Sequence, residues 1–131
     1  MSFLDTSVII DYLGDVDDVV AFVDDQDTLL TSSICVFEVL VGEVHAPGPT
    51  DIYQRRQDFG RVQAIEFSET VAIEAVRLQQ ELMADGVQLS PRDMMIAATA
   101  RSTGAELVVA DSDFDVDPLR EYMNVRDLRS E

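Results

Sequence analysis

Apolar positions along this chain come in short blocks separated by polar turns, and the blocks alternate between strand-like runs and helix-like spacing. Residues 2–5, read as SFLD, are an apolar run that ends on an acid, and Thr6-Ser7 lead directly into Val8-Ile9-Ile10. This predicts a strand over 2–5 and a short helix over 6–13, closed by Gly14. A second helix is expected over 16–25. The run Thr28-Leu29-Leu30-Thr31 reads as a strand that passes through Ser32-Ser33 into a largely apolar helix over about 33–45. APGPTD breaks that helix, and a polar helix follows around 51–60. VQAIEF is a third strand, after which Ser68 caps a long amphipathic helix that stops at Gly86. Ser90-Pro91 places proline at the first position of a helix running to about Thr103-Gly104. AELVVA is the strongest strand of all, and MNVRDL a weaker last one. Strands alternating with helices imply a parallel sheet covered on both faces, so the expected class is α/β.

The chain has 131 residues, enough for one domain, and the expected domain is 1–131. With 47% hydrophobic residues it has material for a real core. No apolar run approaches the roughly 18 residues that a membrane helix needs, and the first residues lack the basic start and apolar middle of a secretion signal. A single cysteine, Cys35, excludes an internal disulfide and suits a reducing compartment. A soluble, cytoplasmic protein is expected.

Charge changes the picture more than composition does. Formal net charge is −17, with 26 acids against nine basic residues, and all nine are arginine. The acids are spread between apolar segments instead of gathering in a tail, so this is an acidic folded surface and not a disordered one. Such a surface repels itself in dilute buffer, whereas in molar salt the screening length falls to about 3 Å. A halophilic source is the expected reason. The same charge excludes broad nucleic-acid binding through a basic face. A phosphate-bearing substrate would need cations between it and the protein.

Topology suggests where the chemistry lies. In a βαβ layout the carboxyl ends of the strands and the N-termini of the following helices share one edge of the sheet, and ligands bind there. Asp5 ends the first strand, and Asp111 follows AELVVA directly. Asp93 is the third helical residue after the Ser90 cap, and Glu38 lies in the first two turns of the helix after TLLT. Each has a purely structural alternative. Asp5 would serve as a helix cap, Asp93 as the acid of a capping-box-like pair with Ser90, and Asp111 as a turn acid in DSDFDVDP. Glu38 fits such a role least, because Ile34, Cys35, Val41 and Gly42 surround it at helical spacing and an ionised glutamate there needs a partner. Carboxylates converging without matching basic residues repel one another, and a hard divalent cation, Mg²⁺ or Mn²⁺, offsets that repulsion through oxygen ligands. Such an ion activates water and stabilises charge developing on a phosphate, so metal-dependent phosphodiester hydrolysis is the chemistry expected.

The same residues resemble the PIN-domain family. FLDTSVII is similar to its opening strand-and-acid signature, TSSICVFEVLVG to the segment carrying its second acid, PRDMMIAATA to its third-acid helix, and LVVADSDF to its final strand-and-acid motif. The four motifs run in the expected order from Asp5 to Phe114. The length resembles that of a VapC-type toxin ribonuclease. The resemblance implies a three-layer α/β/α sandwich with about five parallel strands in the order 3-2-1-4-5. It implies an endoribonuclease dependent on Mg²⁺ or Mn²⁺ and often acting on structured RNA such as tRNA. It also implies inhibition by a VapB-like antitoxin, and a homodimer. Asp5, Glu38 and Asp93 would hold the principal ion, with Asp111, joined by Asp113, completing the site or holding a second ion. Asp111 and Asp113 both fit the fourth acid, and Asp111 is favoured because it leaves the strand directly. The family often has threonine two residues before that acid, where this chain has Val109.

Thr6 and Ser7 are candidates for hydrogen bonds that orient these carboxylates. Arg92 would meet a phosphate or pair with a surface acid. Two alternatives remain at this point: an RNA-processing nuclease outside any toxin–antitoxin pair, and a PIN-like binding module without activity. A calcium loop in Asp111–Asp117 is excluded, because Val116 and Tyr122 stand where an EF-hand needs glycine and glutamate. A phosphorylation-receiver domain is disfavoured because the chain has no lysine. His45 and Cys35 read as a helix-terminus residue and a small core residue.

Overall fold

Leu107, Val108 and Val109 are all buried, as expected for a strand covered on both faces by helices. They belong to β4 (Glu106–Val109), one of five parallel strands in the computed structural model, which describes residues 1–130. The last residue of the expected domain, Glu131, lies outside the described residues. The chain runs β1 (Ser2–Leu4), α1 (Thr6–Leu13), α2 (Asp17–Asp24), β2 (Leu29–Ser32), α3 (Ser33–His45), α4 (Ile52–Asp58) and β3 (Val62–Ile65). It continues with α5 (Glu69–Ala84), α6 (Pro91–Thr103), β4, α7 (Leu119–Tyr122) and β5 (Val125–Asp127), then a 3-10 turn over Leu128–Ser130. The expected elements form within a few residues of their anticipated ends; the four-residue α7 is an addition.

Strand order is β3-β2-β1-β4-β5, the order expected from the PIN resemblance, in a three-layer α/β/α sandwich. From β1 the chain moves outward through β2 to β3, then crosses back to lay β4 on the other flank of β1. The direction of winding therefore reverses between β1 and β4, which is where a doubly wound sheet opens its ligand crevice. Leu4 pairs with Val108, and the Asp5 amide donates to the Val108 carbonyl at 3.0 Å. Asp5 thus stands at the lip of the crevice.

The core that fixes this edge is formed by Phe3, Leu4, Val8 and Ile9 against Leu107, Val108 and Ile96. Helix α6 is buried on more than one side, with Ala97, Ala98 and Ala100 fully enclosed between β4 and α5. These small side chains bring its backbone close to both neighbours, which sets the height of its first turn above the sheet. Its ends are sharply defined. Ser90 accepts from the Asp93 amide at 3.3 Å, Pro91 takes the first turn, and Gly104 closes the helix at φ 77°, where a side chain would be strained. Across its outer face Arg101 pairs with Glu74 and Glu81 of α5. Cys35 lies wholly buried beside the hydroxyls of Thr6 and Thr31, where burial raises its thiol above the usual range.

The β1–β2 ladder covers Ser2 with Leu29 and Phe3 with Leu30 and goes no further. At Leu4 a side chain takes over: the buried Thr31 hydroxyl donates to the Leu4 carbonyl at 2.7 Å. The last peptide before Asp5 is thereby held from both flanks. Thr31→Val keeps the shape and removes that donor. Urea unfolding should report a loss of about 1–3 kcal/mol, as expected for a buried carbonyl stripped of a partner.

Candidate functional site

Asp5 occupies the N-cap position of α1, yet its side chain makes no capping hydrogen bond. Its carboxylate is fully buried, and Oδ2 accepts from the Ser7 hydroxyl at 3.0 Å while Oδ1 has no hydrogen-bond partner. Ser7 in turn accepts from the Ala110 amide at 3.1 Å, which ties the start of α1 to the end of β4. Glu38 projects from the second turn of α3 and receives the Thr6 hydroxyl on Oε1 at 2.5 Å. Asp93 sits in the first turn of α6, where the helix N-terminus favours a negative charge. Asp111 follows β4, and its Oδ1 accepts from the Asp113 amide at 3.0 Å. That short turn swings Asp113 back toward α6.

The expectation of an acid cluster without a matching basic residue is overturned by Arg92. Its guanidinium lies among the carboxylates and binds Glu38 in a two-pronged fork, Nε to Oε2 at 2.7 Å and Nη2 to Oε1 at 2.6 Å. Nη1 meets Asp93 at 2.5 Å and Asp113 at 3.5 Å. Nη2 also donates to Thr6 Oγ1 at 3.2 Å and lies 3.6 Å from Asp5 Oδ1. Of the two readings of Arg92, a phosphate contact or a pair with a surface acid, the structure shows acid pairs, and the long arm makes them in the crevice. Asp111 forms no ion pair with Arg92 among the described residues, so Asp113 is the member of that pair facing the guanidinium.

The environments divide the acids. Burial pushes Asp5 up to about 6; Arg92 opposes this, and the charge of Asp111 adds to it. Burial acts in the same direction on Glu38, but the Arg92 fork and the Thr6 hydroxyl outweigh it and hold that carboxyl below the usual range. Asp113 is raised by burial and by the neighbouring charges of Asp111 and Asp93. The Glu38 fork, ahead of the other contacts, holds the Arg92 guanidinium firmly protonated.

As donors, these oxygens suit a hard divalent cation, and the partnerless, buried Asp5 Oδ1 is the kind of atom such an ion satisfies. With Arg92 held among them, they are not spaced as the ligands of one ion. Among the described residues no three acidic, histidine or cysteine side chains are grouped as ligands of a single ion. They are set around a flat guanidinium instead. Away from this cluster, His45 is exposed at the end of α3.

The sequence matches the PIN domain over residues 2–116. Among solved structures, the fold is similar to that of FitAcB from Neisseria gonorrhoeae, with a TM-score of 0.80, 22% identity and all of both chains covered. It is similar to DNA-bound VapBC from Salmonella typhimurium, with a TM-score of 0.79, 23% identity and 97% of each chain covered. It is also similar to VapBC-5 from Mycobacterium tuberculosis, of the VapBC family of toxin–antitoxin systems. There the TM-score is 0.66 and the identity 26%, covering 95% of this chain and 94% of that one. No curated relative matches the chain.

The raised Asp5 gives a stability test. Because the folded state holds this proton more tightly than the unfolded chain, ionising Asp5 costs stability fully above about pH 6 and not at all below its ordinary value of 3.8. The gap corresponds to about 3 kcal/mol. Asp5→Asn should therefore be more stable than the unaltered protein at pH 8 without metal, by up to about 3 kcal/mol, and the gain should vanish below about pH 4. Paired urea titrations across that range measure it.

Proposed function

The chain belongs to the PIN domain family, and from that premise we propose that it is a metal-dependent endoribonuclease, the toxin of a VapBC-type toxin–antitoxin pair. The observation that carries this reading is the gathering of Asp5, Glu38, Asp93 and Asp113 within 3.6 Å of one guanidinium, at the edge where the sheet reverses its winding. Four acids drawn from four separate segments meet there around a single arginine, which leaves a net negative charge in the crevice.

In this reading Asp5, Glu38 and Asp93 would hold Mg²⁺ or Mn²⁺, with Asp111 and Asp113 completing the site. Such an ion would activate a water and stabilise negative charge on the phosphate. The rest is the work of the protein's own side chains. Ser7 fixes the rotamer of Asp5, and Thr6 fixes that of Glu38, so both carboxylates are oriented before any ligand arrives. Asp5 is kept dry by the core below it, which strengthens its pull on a cation. Arg92 is the cation next to these acids, and an RNA phosphate is the ligand its guanidinium takes when Glu38 releases it.

Similarity to the VapBC and FitAB folds supports a small protein antitoxin as partner, and so do large apolar side chains left in solvent. Phe37 on α3 and Tyr53 on α4 are 66% and 79% exposed. Val76 and Met83 on α5 are similarly bare and support a homodimer. Among the described residues no helix is long and apolar enough to cross a membrane, and the reading places the protein in the cytoplasm of a salt-loving cell. The ion pairs of Arg92 favour a second reading, in which the acids are structural and the domain only binds.

Two measurements test the proposal. Total RNA incubated in molar KCl with Mn²⁺ should be cut into discrete fragments; EDTA or Asp93→Asn should abolish cutting, by at least about a hundred-fold. Fragments that persist unchanged in the variant would leave only the binding reading. Separately, melting temperature should rise steadily between about 0.1 and 1 M KCl as screening relieves the charge of −17. A flat or falling curve would remove the salt-loving assignment.

A further inference from the structure

We propose that Arg92 is the resident cation of this site: its guanidinium holds the place a divalent ion takes, and the ion binds only by displacing it. The inference rests on the metal-dependent reading above and adds to it a built-in competitor within the same chain.

Geometry carries the argument. Glu38 gives both of its carboxylate oxygens to Arg92, and Oε1 takes the Thr6 hydroxyl as well, so a second cation at Glu38 competes with the fork for the same two oxygens. The remaining nitrogen, Nη1, is shared between Asp93 and Asp113, and Asp5 stands just beyond hydrogen-bond reach of Nη2. Carboxylate oxygens around Mg²⁺ lie about 2.0–2.1 Å from one point. Here they lie 2.5–3.6 Å from three nitrogens spread across a plane. Acids spaced for a fork are too far apart for an ion, which is why no three of them form a metal-sized group. Asp5 Oδ1, which no hydrogen bond reaches, marks what the substitute fails to do, since Nη2, engaged with Glu38, stays 3.6 Å from it.

Exchange has an open route. Arg92 is 29% exposed, so its arm can swing outward from α6 without disturbing the core. Its withdrawal frees both Glu38 oxygens and the Asp93 carboxylate for another cation. The arginine serves two ends. It neutralises buried charge while the site is empty, and it sets a threshold, because apparent metal affinity falls by the fraction of molecules in which Arg92 has withdrawn.

Calorimetric titration of Mn²⁺ into metal-free protein tests this. Arg92→Gln should bind Mn²⁺ about ten-fold more tightly or better, and Arg92→Lys, which keeps the charge but loses the fork, should fall between. Arg101→Gln removes a positive charge far from the crevice and should match the unaltered protein. Equal or weaker binding by Arg92→Gln would overturn the inference and leave the metal reading intact. Equal tightening by Arg101→Gln would reduce the effect to net charge and overturn it as well. Absence of Mn²⁺ heat in every variant would sink both readings together.

A second measurement needs no folded variant. In ¹H–¹⁵N spectra of the unaltered protein, the Arg92 Nε–H signal should move and lose its protection as Mg²⁺ saturates the site. A signal that stays in place while the Asp5 and Asp93 amides shift would show metal and arginine side by side, and the inference would fail.

Discussion

A carboxylate removed from water must be neutralised or protonated, and Asp5 is removed from water completely. It stands at the end of the central strand of a five-stranded sheet, fully buried, with one oxygen free of hydrogen bonds. At ordinary pH, burial is only partly offset, so the folded state retains a standing cost there. The neighbouring architecture is arranged around that cost. Ser7 meets one oxygen, the N-terminus of α1 points its dipole at the group, and Arg92 reaches in from α6. Glu38, Asp93 and Asp113 then organise around the arginine and not directly around Asp5. A chain optimised for stability alone would place an apolar residue at this position; the strain localised at its edge is what marks the crevice as a site.

The fold was legible because its main helices are long and capped and its buried strands are apolar. Ser68 and Ser90-Pro91 announce helices at their caps, and LVV in β4 carries the unbroken apolar run of a strand buried on both faces. Helix α7 was not legible, since four residues are too few for any periodicity to develop. The site was legible at the level of the backbone. Topology brings Asp5, Glu38, Asp93 and the Asp111–Asp113 turn to one edge whatever their side chains do. Side-chain direction was another matter. An arginine has four rotatable bonds before its charge, so the neighbour of Asp93 in sequence can reach solvent, a phosphate or the crevice with equal ease. Only the packed structure picks the last. The Asp111–Asp113 pair follows the same logic: a single amide hydrogen bond in the turn decides which of the two faces the guanidinium.

Acidic surface and acidic site are separate problems solved by different means. The surface excess is spread out and exposed, and dissolved salt answers it. The crevice excess is partly buried, where screening by mobile ions is weak, and a fixed cation answers it. That distinction explains why an arginine is engaged here although the chain has only nine to distribute among 26 acids. A planar guanidinium keeps its charge in a half-dry setting and presents several donors at fixed angles, which an ammonium group would not.

Cys35 faces inward from α3, wholly buried beside Thr6 and Thr31, and it is the only thiol in the chain. Thiol reagents in solution therefore have one target, which they meet only when that packing parts. The rate of modification becomes a clock for sub-global opening beneath the crevice, separate from fraying of the outer helices. Since Cys35 neighbours the hydroxyl of Thr6, which orients Glu38, whatever tightens the acids from above should slow that clock from below. The protein thus carries its own reporter of how firmly its crevice is closed, already installed and needing no engineered label.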